Sequence, residues 1–227
     1  MELSNNTLNI LRNYSSINQN ILIKAGATIK PISEARNVVA TANIEQEFPK
    51  DFGIYDLNEF IGVIGLVDNP TCNFEDDFVI VSNGSGRSKV KYFYAAEETL
   101  TAPTKDVTMP EADVKFKLPN DTLNQLKKAA STLGHKELSI RAKDGVLSLS
   151  IQENQNATSN AYSIDMDGEF KQDAVFNFII DISNLKLLPG DYDVEISSKL
   201  ISQFSMDNMK YWIALEKTST YGAWHVR

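Results

Sequence analysis

Cysteine and histidine are scarce in this sequence of 227 residues, which has one cysteine, Cys72, and two histidines, His135 and His225. A single cysteine cannot form an intramolecular disulfide bond, which fits a reducing compartment. The histidines lie at opposite ends of the second half, so neither predicts a catalytic or metal-binding cluster. The Gly-x-Ser-x-Gly, Walker A and His-Glu-x-x-His motifs do not occur. The sequence therefore predicts a protein that is not an enzyme and that binds no metal and no other cofactor.

Long apolar runs are also missing. The longest uninterrupted stretch of apolar and glycine residues is 60–67, far shorter than the roughly 20 residues of a membrane-spanning helix. The N-terminal residues MELSNN have neither the basic nor the apolar region of a signal peptide. We therefore expect a soluble intracellular protein with no membrane partner.

Basic residues are outnumbered, with 22 Lys and Arg against 30 Asp and Glu, so that the formal net charge is −8. The total does not suggest a nucleic-acid partner, but net charge does not say where local patches lie. The stretch 118–136 is locally positive, because it has Lys127, Lys128 and Lys136 against the single carboxylate of Asp121. Such residues are commonly ordinary solvated helix positions, so their meaning depends on their context.

The clearest feature present is an internal repeat. Three segments of the first half return in the second half in the same order: 3–16 as 118–131, 54–60 as 179–185, and 90–97 as 209–216. The spacing indicates two copies of one domain, since a solenoid has a far shorter period. We predict a first domain at 1–97, a linker at 98–114 that contains two prolines and shows no clear periodicity, and a second domain at 115–227.

Each copy begins with the pattern of an amphipathic helix, and its polar face is repeated together with its apolar face. The matched polar pairs are Asn5/Asn120, Asn9/Asn124, Arg12/Lys127 and Ser16/Ser131. Core packing does not dictate the polar face, so its repetition suggests that both copies meet the same target. Cations at matching positions could follow a phosphate backbone without reading its sequence.

The rest of each copy has the pattern of several strands, a second helix and further strands, which predicts the α+β class. The second helices are expected at 57–67 and 182–188, with Gly62 and Gly65 giving the former a thin side for close packing. Asp144-Gly145 predicts a β-hairpin. We interpret Asn83–Arg87 as a hairpin turn rather than a phosphate loop, and Asp165–Glu169 as a solvated turn rather than a calcium site.

The chain resembles the DNA polymerase processivity factors, or sliding clamps, of T-even-type bacteriophages. The likeness runs in order from Leu3 to about Glu216, and no single motif carries it. Its residues are Leu3-Ser4, Ile54–Asn58, Phe176–Ile180, Asn184 with Lys186, and Pro189-Gly190 with Tyr192. The region 70–88 aligns poorly, and the tail with Tyr221, Trp224 and His225 has no obvious match.

The resemblance implies two clamp domains, each made of two helices backed by antiparallel β-sheet, in a closed ring of six domains. Two domains per chain then imply a homotrimer, joined by edge strands near 89–96 and 161–166. The implied partners are duplex DNA of any sequence, the replicative DNA polymerase and an ATP-dependent clamp loader, in the cytoplasm of the infected host cell. The implied function is to encircle DNA and tether the polymerase for processive synthesis.

The same resemblance places the basic residues on the inner face of the ring. The residues expected to face DNA are Arg12, Lys127, Lys128, Lys136 and Lys186. The pocket for partner peptides stays unknown, with Leu100, Val107 and Met109 as candidates near it. The alternative function is a duplicated β-rich structural or protein-interaction module without DNA, and reversal of the charges of Lys127 and Lys128 would then change no DNA-dependent activity.

Overall fold

The computed structural model of the chain describes residues 1–156 and 158–223. The chain divides into two compact units, Met1–Asp106 and Val107–Arg227. Both consist of a few helices and antiparallel sheets, which confirms the α+β class. The domain and linker boundaries drawn from the sequence stay predictions. In the described part of the chain, no helix is long and apolar enough to cross a membrane.

The first unit has two α-helices and seven strands. They are α1 Asn5–Ile17, β1 Ile21–Ile23, β2 Gly26–Ile29, β3 Val38–Phe48, β4 Phe52–Ile54, α2 Leu57–Gly65, β5 Thr71–Phe74, β6 Phe78–Ser82 and β7 Lys89–Phe93, followed by a 3-10 turn at Glu97–Thr99. The strands pair antiparallel as β1 with β4, β2 with β3, and β5-β6-β7 in that order. The strand β7 therefore ends its sheet.

The described residues of the second unit, 107–156 and 158–223, form one α-helix and ten strands. They are β8 Val114–Leu118, α3 Asn120–Leu133, β9 Glu137–Lys143, β10 Val146–Ile151, β11 Tyr162–Met166, β12 Gly168–Phe170, β13 Ala174–Asp181, a 3-10 turn Ile182–Asn184, β14 Tyr192–Ser197, β15 Ile201–Met206, β16 Met209–Ala214 and β17 Thr220–Ala223. One sheet has the order β11-β10-β9-β13-β17, and the other has β12-β8-β14-β15-β16. The strand β11 therefore ends the first of these sheets.

The two matched helices, α1 and α3, form where the repeat predicts them. In α1 the side chains of Ile10, Leu11 and Tyr14 are fully buried, at the spacing of one helical face. In α3 the equivalent stripe is Leu123, Leu126 and Ala130. Each helix thus contributes an apolar stripe to the core of its own unit and leaves its polar face to solvent.

Specific residues fix where these helices begin and end. The Ser4 hydroxyl caps α1 by accepting a hydrogen bond from the Thr7 backbone N–H at 3.2 Å. Pro119 directly precedes α3, and Gly134 ends it in the left-handed conformation at φ 71°. In α2, the Asp56 carboxylate accepts from the N–H groups of Asn58 and Glu59 at 2.9 and 3.1 Å, as expected of a residue that caps a helix.

The second helix predicted at 182–188 is wrong, because only the 3-10 turn Ile182–Asn184 forms there. The buried side chains that follow are Leu185 and Leu187, and their alternation is that of an extended chain rather than a helix. Pro189 also disfavours a helical conformation at the residue before it. The second unit therefore presents one helix and a short turn where the first unit presents two helices.

The expectation that Gly62 and Gly65 permit close packing is also wrong. Both glycines are exposed, and a Cβ added at either would meet nothing within 4 Å.

The hairpin expectations are confirmed. Asp144 and Gly145, with φ of 54° and 79°, join β9 to β10, and the turn after Asn83 joins β6 to β7.

Candidate nucleic-acid interface

The polar face of α1 is open to solvent, as the repeat predicts. Asn5, Asn9, Arg12 and Ser16 are all exposed. The Arg12 guanidinium donates from Nη1 to the Asn9 side-chain oxygen at 3.0 Å, so one asparagine of this face orients the cation along the helix. Arg12 is the only ionisable residue on the exposed face of α1, which makes that face positive.

The polar face of α3 contains two lysines that differ in solvent exposure. Lys128 is exposed, whereas Lys127 is half-buried, and burial lowers the pKa of its ammonium. Lys127 borders a shallow depression of about 340 Å³. The other residues that line it are Ala130, Ser131, Gly134, His135 and Ile182. An anionic group would fit a half-covered ammonium, because it would restore the stabilisation that burial removes.

The remaining two candidate cations are Lys136, just after the end of α3, and Lys186, just after the 3-10 turn. The Ile182 backbone N–H donates to the Lys136 carbonyl oxygen at 2.8 Å, so the 3-10 turn packs against the chain that leaves α3. Lys136 is exposed, and Lys186 follows the turn on the half-buried segment. In the second unit, Lys127 and Lys136 thus both lie near Ile182, whereas Arg12 belongs to the other unit.

The candidate cations of α1 and α3 have no carboxylate partners in the described part of the chain. In residues 1–156 and 158–223, no carboxylate lies within 4.0 Å of the cationic groups of Arg12, Lys127, Lys128 or Lys136. Five other lysines do have such partners, in the pairs Lys24–Asp51, Lys24–Glu97, Lys30–Asp106, Lys50–Asp76, Lys115–Glu195 and Lys117–Asp193. The described chain therefore leaves the cations of α1 and α3 without a carboxylate partner, as it also leaves some strand lysines, such as Lys89 and Lys91 of β7.

The helix α2 does not share this positive character. It contains Glu59 and no basic residue, and its capping residue is also acidic. Its exposed positions include Gly62, Gly65 and the adjoining Leu66, whose side chain is 72% exposed. Among the described α-helices, exposed cations are therefore found on α1 and α3 and not on α2.

Groups with catalytic chemistry are fixed in structural roles. The Cys72 thiol is buried, and desolvation raises its pKa to about 11, so it is a poor nucleophile at neutral pH. The ring nitrogen Nε2 of His135 lies 2.7 Å from the Asn160 carbonyl oxygen. His225 and Trp224 lie outside the described residues. Among the described residues, no three metal-binding side chains come together.

Two family models match the chain. One, described as the C-terminal part of the gp45 sliding clamp, matches residues 115–217. The other, described as a DNA polymerase processivity factor, matches residues 4–76. The two matches fall in the second and the first compact unit, respectively.

Similar chains are found over nearly the full length. The sliding clamp of Vibrio phage KVP40 is 32% identical over 221 residues, which is 95% of this chain and 99% of the relative. The sliding clamp of Escherichia phage RB69 is 31% identical, with 97% and 99% covered. The sliding clamp of Enterobacteria phage T4 is 29% identical with the same coverage.

Solved structures share the fold at low identity. The proliferating cell nuclear antigen (PCNA) of Thermococcus kodakaraensis has a TM-score of 0.69 and 15% identity, with 95% of this chain and 98% of that chain covered. The corresponding structure from Entamoeba histolytica has a TM-score of 0.66 and 14% identity, with 92% and 94% covered. These likenesses establish the two-unit architecture of few helices and antiparallel sheets.

Proposed function

The chain belongs to the family of phage sliding clamps, which are DNA polymerase processivity factors, and we propose that three copies of it close into a ring around duplex DNA. The protein is a non-enzymatic processivity factor that acts with DNA and a DNA polymerase. In the proposed ring, Arg12, Lys127, Lys128, Lys136 and Lys186 face the DNA.

The matched positive faces of α1 and α3 carry this proposal. Both helices expose cations on the face that the repeat conserves, and among the described residues no carboxylate lies within 4.0 Å of the cationic groups of Arg12, Lys127 or Lys128. Positive charge that the fold leaves uncompensated on two matched helices suits a repeating anionic target. The acidic remainder of the chain supports solubility and does not cancel a local patch on another face.

Weak contacts suit a clamp better than strong ones. A few exposed cations that touch phosphates give salt-dependent binding without sequence preference. Because every phosphate presents the same charge, such contacts re-form as the ring moves along the duplex. Retention then comes from encirclement, and the cations centre the ring on the DNA.

The two edge strands favour a head-to-tail assembly. Among the described strands, β7 pairs with β6 alone and β11 with β10 alone. The opposite edge of the β7 sheet is covered, since the Met1 ammonium donates to the Cys72 carbonyl and the Cys72 N–H donates to the Met1 carbonyl, both at 2.7 Å. Pairing of β7 with β11 of the next copy would satisfy both open edges, and such a heterologous contact closes a ring when its rotation permits.

The proposed partners include the replicative polymerase and an ATP-dependent clamp loader, in the cytoplasm of the infected host cell. Duplex DNA without ends cannot enter a closed ring, so another protein has to open it. The docking residues stay a prediction. Of the linker candidates, Leu100 is half-buried with its side chain beside Gly53, and Val107 and Met109 are half-buried as well.

Retention on DNA of different topology tests the proposal. The protein is loaded on nicked circular DNA, which is then either left circular or cut once with a restriction enzyme, and bound protein is measured after gel filtration. We expect the clamp to stay on the circle and to leave the linear DNA through its ends. Equal loss from both forms would contradict encirclement.

A further inference from the structure

The exposed face of β7 presents two lysines whose charge the chain itself does not balance. Lys89, Lys91 and Phe93 alternate with the half-buried Val90 and Tyr92. Within the described residues, no carboxylate lies within 4.0 Å of either lysine ammonium. The Lys91 ammonium lies over the ring of Phe78 at 3.6 Å and that of Phe93 at 4.6 Å, which holds it on this face.

The strand β11 presents the opposite charge. Asp165 is exposed at the edge of its sheet, and Asp167 follows directly after the strand and is exposed too. No lysine or arginine among the described residues lies within 4.0 Å of either carboxylate. The half-buried side chains Ile164 and Met166 alternate with these positions.

The protein contains the same arrangement in a completed form. On β8, Lys115 and Lys117 stand directly opposite Glu195 and Asp193 of β14 in an antiparallel register. The two ion pairs measure 3.1 and 2.8 Å. A lysine-x-lysine strand that faces an acid-x-acid strand is therefore a pairing that this chain already uses, and β7 and β11 each hold one half of it.

We propose that β7 of one copy pairs antiparallel with β11 of the next copy in the single register that places Lys91 opposite Asp165 and Lys89 opposite Asp167. This inference rests on the proposed ring and assigns its subunit register. The same register sets Tyr92 opposite Ile164 and Val90 opposite Met166 on the other face of the joined sheet.

Neighbouring registers are worse for identifiable reasons. A shift by one residue would place charged side chains opposite apolar ones, because side chains alternate between faces. A shift by two in one direction leaves Lys91 opposite Ser163 and loses an ion pair. A shift by two in the other direction would set Lys89 opposite Glu169, but Glu169 lies on β12, which has left the β11 sheet and pairs with β8.

In this register, ion pairs between neighbouring copies help to hold the ring closed. Each interface then holds two exposed ion pairs, whose attraction is screened by salt. We expect the protein concentration below which the trimer dissociates to rise with ionic strength. Salt and charge then determine how readily the ring opens for DNA.

Charge reversal on each strand tests the proposal by sedimentation. Lys89→Glu/Lys91→Glu and Asp165→Lys/Asp167→Lys should each raise the concentration at which the trimer dissociates by at least tenfold. The chain with all four substitutions should recover the trimer, because both halves of the pairing are exchanged. Lys171→Glu/Lys199→Glu, with the same change of charge at exposed positions elsewhere, should leave the trimer unchanged.

A mixture of the two double variants gives a sharper outcome. Each kind then has two edges of the same charge and can join only the other kind, through either edge. The two kinds must therefore alternate, a ring of three copies cannot close with all its charges matched, and we expect dimers or open chains. If each double variant formed a trimer as stable as that of the wild type, the proposed register would be wrong, but the proposed ring would not be contradicted. A wild-type protein that stays monomeric at high concentration would instead contradict the proposed function.

Disulfide cross-linking between copies tests the register directly, and its main variant leaves both proposed ion pairs in place. Phe93→Cys/Ser163→Cys places two thiols directly opposite each other in the proposed register. We expect efficient disulfide formation between copies, whereas Phe93→Cys/Asp165→Cys should cross-link poorly. The reverse order of efficiency would disprove the register. Cys72 does not compete, because it is buried and its thiol pKa is raised to about 11.

Discussion

At the scale of single residues, Lys127 shows how the fold prepares a cation for an anionic partner. Burial lowers the pKa of its ammonium below the ordinary value for lysine. The folded pKa therefore lies below the unfolded one, so the charged form costs stability at neutral pH, and this cost disappears as pH rises from the folded pKa through the unfolded one. A phosphate beside the ammonium acts in the opposite direction and raises the pKa. In the proposed ring, binding of DNA would thus relieve a cost that the free protein bears.

Gly53 is a residue at which only glycine fits. A Cβ built there would clash with the Ala95 carbonyl oxygen and with the Leu100 side chain, and the first is backbone that cannot move aside cheaply. We expect Gly53→Ala to lower the free energy of unfolding by about 1–3 kcal/mol, the usual cost of overpacking. Urea denaturation followed by circular dichroism measures the change.

Gly62→Ala is the matched control for that substitution. Gly62 lies inside α2 with open space around its Cβ position, and alanine favours a helix interior over glycine by about 0.5–1 kcal/mol. The control should therefore be stabilised. A Gly53→Ala protein as stable as the wild type would contradict the close approach of Ala95 to β4.

At the scale of elements, local signals determine what the sequence predicts well. The helix α1 follows Ser4, α2 follows Asp56, and the turn at Asp144-Gly145 has the positive φ values that this pair favours. The failure at 182–188 has a tertiary cause. Leu185 and Leu187 are both buried, and the space available in the core, rather than helical periodicity, determines the path of that segment.

The strand β17 is an element that the repeat does not predict, since the first half has no counterpart. It pairs with β13, and the Tyr221 ring stacks on those of Phe176 and Phe178 at 6.1 and 5.9 Å. We expect Tyr221→Ala to destabilise the second unit by about 1 kcal/mol, on the order of an aromatic pair. Thermal unfolding monitored by near-ultraviolet circular dichroism measures this.

Tyr221→Phe is the control, because it retains the ring and removes only the hydroxyl. Its stability should lie close to that of the wild type. If both variants were destabilised equally, the hydroxyl rather than the stack would hold the strand.

At the scale of the whole molecule, the acidic sum of charges and the binding of DNA are compatible. The net charge of −8 includes lysines with carboxylate partners on the strands, whereas α1 and α3 expose cations toward solvent. The candidate DNA-facing cations are unevenly divided between the two units. The second unit contains Lys127, Lys128, Lys136 and Lys186, whereas the first contains Arg12, and its helix α2 contains the acidic Glu59. A ring of such chains would bind DNA mainly through its second units.

This division predicts how salt affects binding of the protein to DNA. Lys127→Gln or Lys128→Gln removes one cation from each copy, so the logarithm of the equilibrium binding constant should fall less steeply with the logarithm of salt concentration. The slope should become shallower by about 0.9 for each phosphate that is no longer neutralised. Equilibrium binding of the protein, without a loader, to short linear DNA with free ends is measured between about 50 and 200 mM salt, so that encirclement does not hold the protein in place.

Lys199→Gln is the control for the salt series, since Lys199 is exposed in the turn between β14 and β15. Its slope should equal that of the wild type. An identical slope for all three variants would show that the α3 cations do not touch phosphate, and would favour a module without DNA binding.

The sequence by itself determined the duplication, the α+β class and the matched polar faces of α1 and α3. These follow from periodicity and from identities that persist along the chain, both of which are local. Only the tertiary structure decided which lysines have carboxylate partners, why Gly53 cannot change, and that 182–188 is mostly extended. It also placed β7 and β11 at open sheet edges with opposite charges. The physical reason is that pairing, close approach and edge position depend on residues far apart in sequence, which no local pattern brings together.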